Sequence, residues 1–148
     1  MPNSARLVVA AVLAATIAMA SACGSDSPTG PKNVSGTYTL HTVDGLPLPF
    51  TVTNPRDHAI VINSVTATLD SNGTYAVAGT GTQDGHASTV ITDAGTYSQS
   101  GTAMHFTSTT FQAEYSASAR TDSITVTLPG GFVDSNTSTF SLLFVKGS

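Results

Sequence analysis

Short stretches of alternating apolar and polar residues, separated by Gly, Asn and Asp turn signals, recur from Val34 to the end of the chain. In residues 59–69, Val65, Ala67 and Leu69 fall on one face of an extended strand. Residues 70–73 (DSNG) form a turn signal in which Gly73 can take a positive φ. This pattern predicts antiparallel hairpins.

Turn signals at regular spacing divide the rest of the domain in the same way. Residues 79–85 (GTGTQDG) are interpreted as a loop, Asp93-Ala94-Gly95 as a turn, and residues 46–55, with three prolines, as an irregular crossing or a sheet edge. Eight or nine short strands therefore predict a meander that closes as a barrel or stacks as a β-sandwich. The other predicted strands are residues 36–43, 74–79, 87–92, 96–99, 102–107, 111–117, 123–128 and 139–145.

Composition supports strands over helices. Of the 126 residues after Ala22, 23 are Thr and 16 are Ser, whereas Lys and Glu together number three. Four basic residues stand against nine acidic ones in this part, a net charge of −5. An acidic chain without Lys/Arg clusters argues against nucleic acid and anionic lipid headgroups as partners.

The N-terminus has the pattern of a secretory signal. Arg6 and the amino terminus are positive, and residues 7–20 contain no charge over 14 positions. A bilayer span needs about 20 apolar residues, so a retained membrane helix is the weaker alternative. Residues 1–22 are therefore predicted to be a signal peptide.

The segment Ala20-Ser21-Ala22-Cys23-Gly24 resembles the lipobox of bacterial lipoproteins. The resemblance implies that Cys23 carries a diacylglyceryl group with acyl chains such as palmitate, and that Gly24 directs the protein to the outer membrane. The alternative is ordinary cleavage that leaves a free thiol. Cys23 is the only cysteine, so no internal disulfide can form. Residues 23–33 lack apolar side chains and are predicted to be a flexible tether.

Residues 34–148 resemble the bacterial lipocalin-like lipoproteins. The resemblance implies an eight-stranded up-and-down β-barrel, and it supplies no catalytic residues. It rests on Gly36-Thr37-Tyr38-Thr39-Leu40, Asp44-Gly45-Leu46-Pro47-Leu48-Pro49, Leu69-Asp70-Ser71-Asn72-Gly73-Thr74-Tyr75, Gly95-Thr96-Tyr97-Ser98-Gln99-Ser100-Gly101 and Phe140-Ser141-Leu142-Leu143-Phe144-Val145-Lys146.

Catalytic and metal-binding patterns are not visible in the sequence. Asp70-x-Asn72-Gly73 lacks the downstream Glu of a calcium loop, and Glu114 alternates with apolar neighbours as a solvated residue does. We therefore predict neither an enzyme nor a cofactor or metal site. The four histidines are scattered without ligand spacing: His41, His58, His86 and His105.

Two functions follow from these predictions. The first is a lipid-anchored binding module of the cell envelope whose barrel holds a small apolar or lipid-like ligand. Ala67, Ala113 and Ala117 leave space on the inner face, and Phe50 lies in a segment placed to cap one mouth. The second is a structural or interaction protein of the envelope with a filled barrel. A connected cavity with an open mouth would distinguish them.

Replacing the cysteine tests the anchor. In Cys23→Ser the hydroxyl cannot take the place of the thiol, so we expect the variant to leave the membrane fraction, whereas Ser27→Ala should remain there. Fractionation of the expressing cells measures this. Full retention of Cys23→Ser with membranes would contradict lipidation at this residue.

Overall fold

A computed structural model describes residues 33–53, 59–129 and 139–147, and these form strands joined by turns without a helix. No helix in this part of the chain is long and apolar enough to cross a bilayer. The strands are β1 (Gly36–Val43), β2 (Leu46–Pro47), β3 (Phe50–Thr53), β4 (Ala59–Leu69), β5 (Thr74–Gln83), β6 (His86–Ser100), β7 (Ala103–Ser108), β8 (Ala113–Ala119), β9 (Ser123–Leu128) and β10 (Phe140–Lys146).

Eight of these strands close into an antiparallel up-and-down barrel. Neighbouring strands follow the order β1, β10, β9, β8, β7, β6, β5, β4. The ring closes where residues 36–39 of β1 pair with residues 66–69 of β4, while the other edge of β1 pairs with β10. The all-β barrel prediction is confirmed, and the sandwich alternative is wrong, because a single sheet returns to its first strand.

Two-residue turns with positive φ join several strands. Asp44 and Gly45 have φ of 50° and 79°, and Asp84 and Gly85 have 50° and 82°. Positive φ at both central positions gives a turn whose twist matches that of the strands. Gly73 has φ 86°, as predicted for the turn after Leu69. The Asp-Gly and Asn-Gly pairs therefore set the hairpin positions.

The barrel wall divides between β1 and β4 at one end, and the proline-containing segment adds a short strand to each of these edges. β2 pairs with Thr42 and Val43 of β1, on the edge that β4 occupies further back. β3 pairs with residues 59–62 of β4. Of the two alternatives predicted for residues 46–55, the sheet edge is confirmed for 46–47 and 50–53, and residues 54–55 lie outside the described residues.

The opposite end of the barrel is filled. Val34, Met104 and Ala119 are buried near the turns that join β4 to β5, β6 to β7 and β8 to β9. The Tyr38 hydroxyl donates to the carbonyl of Val34 at 2.8 Å, which holds the entering chain against the core. Lys146 Nζ lies 5.6 Å from the centroid of the Tyr38 ring. We call this the filled end.

The predicted loop at residues 79–85 is wrong for residues 79–83, while residues 84–85 form a turn. β5 continues to Gln83 and pairs with β4 and β6 throughout. A Cβ on Gly81 would lie 1.9 Å from the carbonyl oxygen of Val61. Glycine is needed here because two strand backbones approach each other closely, a use that glycine has at bends in barrel walls.

The predicted turn at Asp93-Ala94-Gly95 is also wrong. β6 runs without a break through these residues, pairing first with β5 and then with β7. A Cβ on Gly95 would lie 2.0 Å from the carbonyl oxygen of Thr107, so this glycine also permits close backbone approach. The strand predicted at 111–117 begins instead at Ala113, because Gln112 has φ 52°.

The turn geometry predicts the effect of substitutions at Gly73. Gly73→Val should lower the free energy of unfolding by about 1–3 kcal/mol, because a β-branched residue is strained at positive φ. Gly73→Asn should cost much less, since Asn tolerates this region. Thermal melts of both variants measure the difference. Equal midpoints for Gly73→Val and the wild type would contradict the turn assignment.

Candidate functional site

The barrel contains a cavity of about 120 Å³. Its wall is apolar around most of its circumference because the inward positions of the alternating strands are Val, Leu, Ile, Ala and aromatic residues. Residues from β1, β4, β5, β9 and β10 contribute to this wall, among them Leu40, Val65, Ala67, Val77, Val126 and Phe144.

The cavity reaches the end of the barrel opposite the filled end. Phe50 and Val52 of β3 line it, as does Phe111 in the connection between β7 and β8. Phe111 is 48% exposed although it lines the cavity. The cavity therefore extends toward solvent beside these residues, and we call this the mouth end. Two further segments, 54–58 and 130–138, lie outside the described residues.

One carboxylate lines this apolar cavity. Asp93 is 7% exposed and lies at an inward position near the middle of β6. Its Oδ2 accepts a hydrogen bond from the Tyr75 hydroxyl at 2.8 Å. Its Oδ1 accepts from the Ser108 hydroxyl and from the N–H of Ala94 at 2.8 Å. Neutral donors from three strands or their ends thus surround a buried acid.

The surroundings of Asp93 affect the tyrosines beside it. Burial raises the pKa of Tyr75 well above its usual range, and the hydrogen bond to Asp93 and the charge of Asp93 raise it further. Burial is also the main reason why the pKa of Tyr115 is raised; Asp93 acts in the same direction and the hydrogen bond with Ser108 opposes it. Both phenols are therefore held as neutral hydroxyls.

Aromatic packing holds the Tyr75 side chain in place. The rings of Tyr75 and Phe106 meet edge to face, with centroids 5.1 Å apart and an interplanar angle of 87°. Tyr97 also packs on Phe106, with ring centroids 5.9 Å apart, and its hydroxyl donates to the carbonyl of Asp70 at 2.7 Å. The position of the Tyr75 hydroxyl is consequently fixed by its ring as well as by Asp93.

The structure supports the predicted space at alanines only in part. Ala67 lines the cavity, whereas Ala113 and Ala117 pack against the core without lining it. Phe50 lines the cavity as a residue of the wall strand β3, not as part of a separate cap. The substitution most suited to filling the cavity is therefore at Ala67 alone.

The candidate polar residues lie on the outer surface. His41, His86 and His105 are exposed, and His58 lies outside the described residues. His105 Nε2 is 3.6 Å from Glu114 Oε2, a pair across adjacent strands at the surface. Within the described ranges, no group of three His, Cys, Asp or Glu residues is arranged to hold a metal ion. Cys23 lies outside the described residues.

Asp93 was not predicted as a site residue. The triplet Asp-Ala-Gly matched a turn signal, and that interpretation concealed the alternation Ile91, Asp93, Gly95, Tyr97 along one face. Extending the period-two pattern of Ile91 through the triplet would have placed Asp93 inside the barrel. The signal in the sequence was one acidic residue, Asp93, at a position that the alternation assigns to the inward face.

Comparisons of the chain with protein-family models, with curated proteins and with solved structures found no match.

The four tyrosines predict how stability responds to alkaline pH. Burial, first among the causes, raises the pKa of each above 10.0. The folded state then binds these protons more tightly than the unfolded state, so the stabilisation is complete below pH 10 and is lost as pH rises through the native pKa values. The residues are Tyr38, Tyr75, Tyr97 and Tyr115, which are all the tyrosines of the chain.

Absorbance of tyrosinate and circular dichroism, followed together from pH 8 to 13, measure this response. We expect tyrosinate to appear above pH 10 and together with the loss of the β-sheet signal. Titration of all four phenols near pH 10 in a folded barrel would contradict their interior placement.

Proposed function

We propose that this chain is a lipid-anchored binding protein of the bacterial cell envelope, and that its barrel takes a small apolar ligand. The observation that carries the proposal is the cavity of about 120 Å³, which is lined by apolar side chains and reaches the mouth end. Eight-stranded barrels are just wide enough to be filled by side chains or to hold one small ligand. Here Val34, Met104 and Ala119 fill one end of the barrel, and a cavity remains inside the same barrel.

The size of the cavity limits what it can enclose. A cavity of about 150 Å³ lined by apolar side chains holds one benzene molecule. Pockets for drug-sized molecules have volumes of about 300–1,000 Å³. The ligand is therefore a single ring or a short hydrocarbon chain, or a larger molecule whose remainder extends past Phe50 and Phe111.

The anchor is consistent with access to this cavity. Val34 enters the barrel at the filled end, so the predicted tether that begins at Cys23 joins the domain opposite the mouth. Eleven residues, 23–33, reach at most about 3.3–3.6 Å each when extended, which allows the domain to stand away from a bilayer surface. The resemblance of residues 20–24 to a lipobox with Gly24 favours the outer membrane.

A protein-interaction role is the second candidate. Leu46 is 57% exposed and Phe111 is 48% exposed, and both belong to the mouth end. Exposed large apolar side chains at one end of a domain are a feature of contact surfaces. Under this alternative the cavity is incidental and the protein contacts envelope partners through the mouth end.

Filling the cavity separates these functions. We expect the mature wild-type domain to bind benzyl alcohol saturably in calorimetric or NMR titration. In Ala67→Leu the added carbons occupy the cavity, so binding should weaken at least tenfold, while the free energy of unfolding changes by less than about 1.5 kcal/mol. Ala76→Leu, on the exposed face of β5, is the matched control and should bind as the wild type does.

The two functions predict different results. Saturable binding that Ala67→Leu removes and Ala76→Leu preserves would support the binding module. No saturable binding by the wild type, or equal binding by a folded Ala67→Leu variant, would contradict it and favour the interaction role.

A further inference from the structure

The carboxylate of Asp93 makes the cavity chemically asymmetric. Among the described residues that line it, none is Lys, Arg or His. The donors that reach Asp93 from Tyr75, Ser108 and Ala94 are neutral groups. A buried carboxylate thus has hydrogen-bond partners without a cation to oppose its charge.

Hydrogen bonds from neutral groups compensate a buried charge less completely than an ion pair with good geometry. A carboxylate has about four acceptor positions, and besides these three donors the side chain of Tyr115 forms a hydrogen bond with Asp93. An ammonium group inside the cavity would therefore act on Asp93 through its charge, because no cationic side chain among the described residues lines the cavity.

The rings around Asp93 favour a cation over a neutral donor. Tyr75, Phe106 and Tyr115 line the same cavity as Asp93. The faces of aromatic rings attract ammonium groups, and the attraction increases where water is excluded. An ammonium near Asp93 would therefore meet a carboxylate and aromatic rings, while an anionic group would meet repulsion from the same carboxylate.

We propose that the cavity selects small primary amines, with the ammonium at Asp93 and the apolar part of the ligand against Val65, Ala67 and Phe144. This inference rests on the proposed binding function and specifies its ligand class. It disfavours free fatty acids, because their carboxylate would be brought toward Asp93. The net charge of −5 on the chain after Ala22 acts in the same direction by attracting cations to the protein.

The test compares three ligands of one shape at neutral pH: benzylamine, benzyl alcohol and benzoate. Calorimetric titration of the mature wild-type domain should give at least tenfold tighter binding for benzylamine than for benzyl alcohol, and weaker binding still for benzoate. Asp93→Asn keeps the size of the side chain and removes its charge. It should bring benzylamine to within threefold of benzyl alcohol, whereas Asp122→Asn, at an exposed turn, should keep the wild-type preference.

The results distinguish the inference from the function on which it rests. Binding of benzyl alcohol without a preference for benzylamine would overturn amine selection and leave a cavity that binds neutral ligands. A folded Asp93→Asn variant that keeps the preference would assign Asp93 a structural role only, and would also overturn it. Binding of none of the three ligands would overturn the binding function itself. The wild-type series decides between these outcomes even if Asp93→Asn does not fold.

Discussion

Pairing between the first and fourth strands is the constraint on which this structure depends. Residues 36–39 reach across to residues 66–69, and this ladder removes the open edges that a sheet of eight strands would otherwise expose. Because the sheet is closed, the inward side chains of all eight strands face one common interior. Because β1 and β4 separate after this ladder, β2 and β3 extend the two edges of the wall there, and Phe50 and Val52 of β3 line the cavity.

The buried acid follows from the same geometry. β6 is 15 residues long because it pairs with β5 along its first part and with β7 along its last. Asp93 lies where these pairings exchange, and there Tyr75 of β5 and Ser108 of β7 reach it from opposite sides. The carboxylate therefore links three neighbouring strands through its hydrogen bonds. Its cost of burial is lowered by these donors.

The sequence predicted the strands and hairpins well because these depend on local patterns. Alternation placed Val65, Ala67 and Leu69 on one face, and Gly73 took the positive φ that its turn signal indicated. Local rules failed at Gly81 and Asp93, where Gly and Asp normally indicate turns. In the barrel, close backbone approach requires the glycine and cross-strand donors accommodate the acid, and both depend on partners distant in sequence.

The candidate site was less predictable than the fold, for a related reason. A cavity is what remains after all inward side chains have packed, so no single stretch of sequence contains it. Three alanines were expected to leave space inside the barrel, and only one of them, Ala67, lines the cavity. An apolar cavity of about 120 Å³ costs on the order of 3 kcal/mol at about 24 cal/mol per Å³. Val34, Met104 and Ala119 pack at the filled end and do not line the cavity. A ligand that filled the cavity would recover part of that cost as binding free energy, and its affinity would then depend on how well its polar group suits the carboxylate of Asp93.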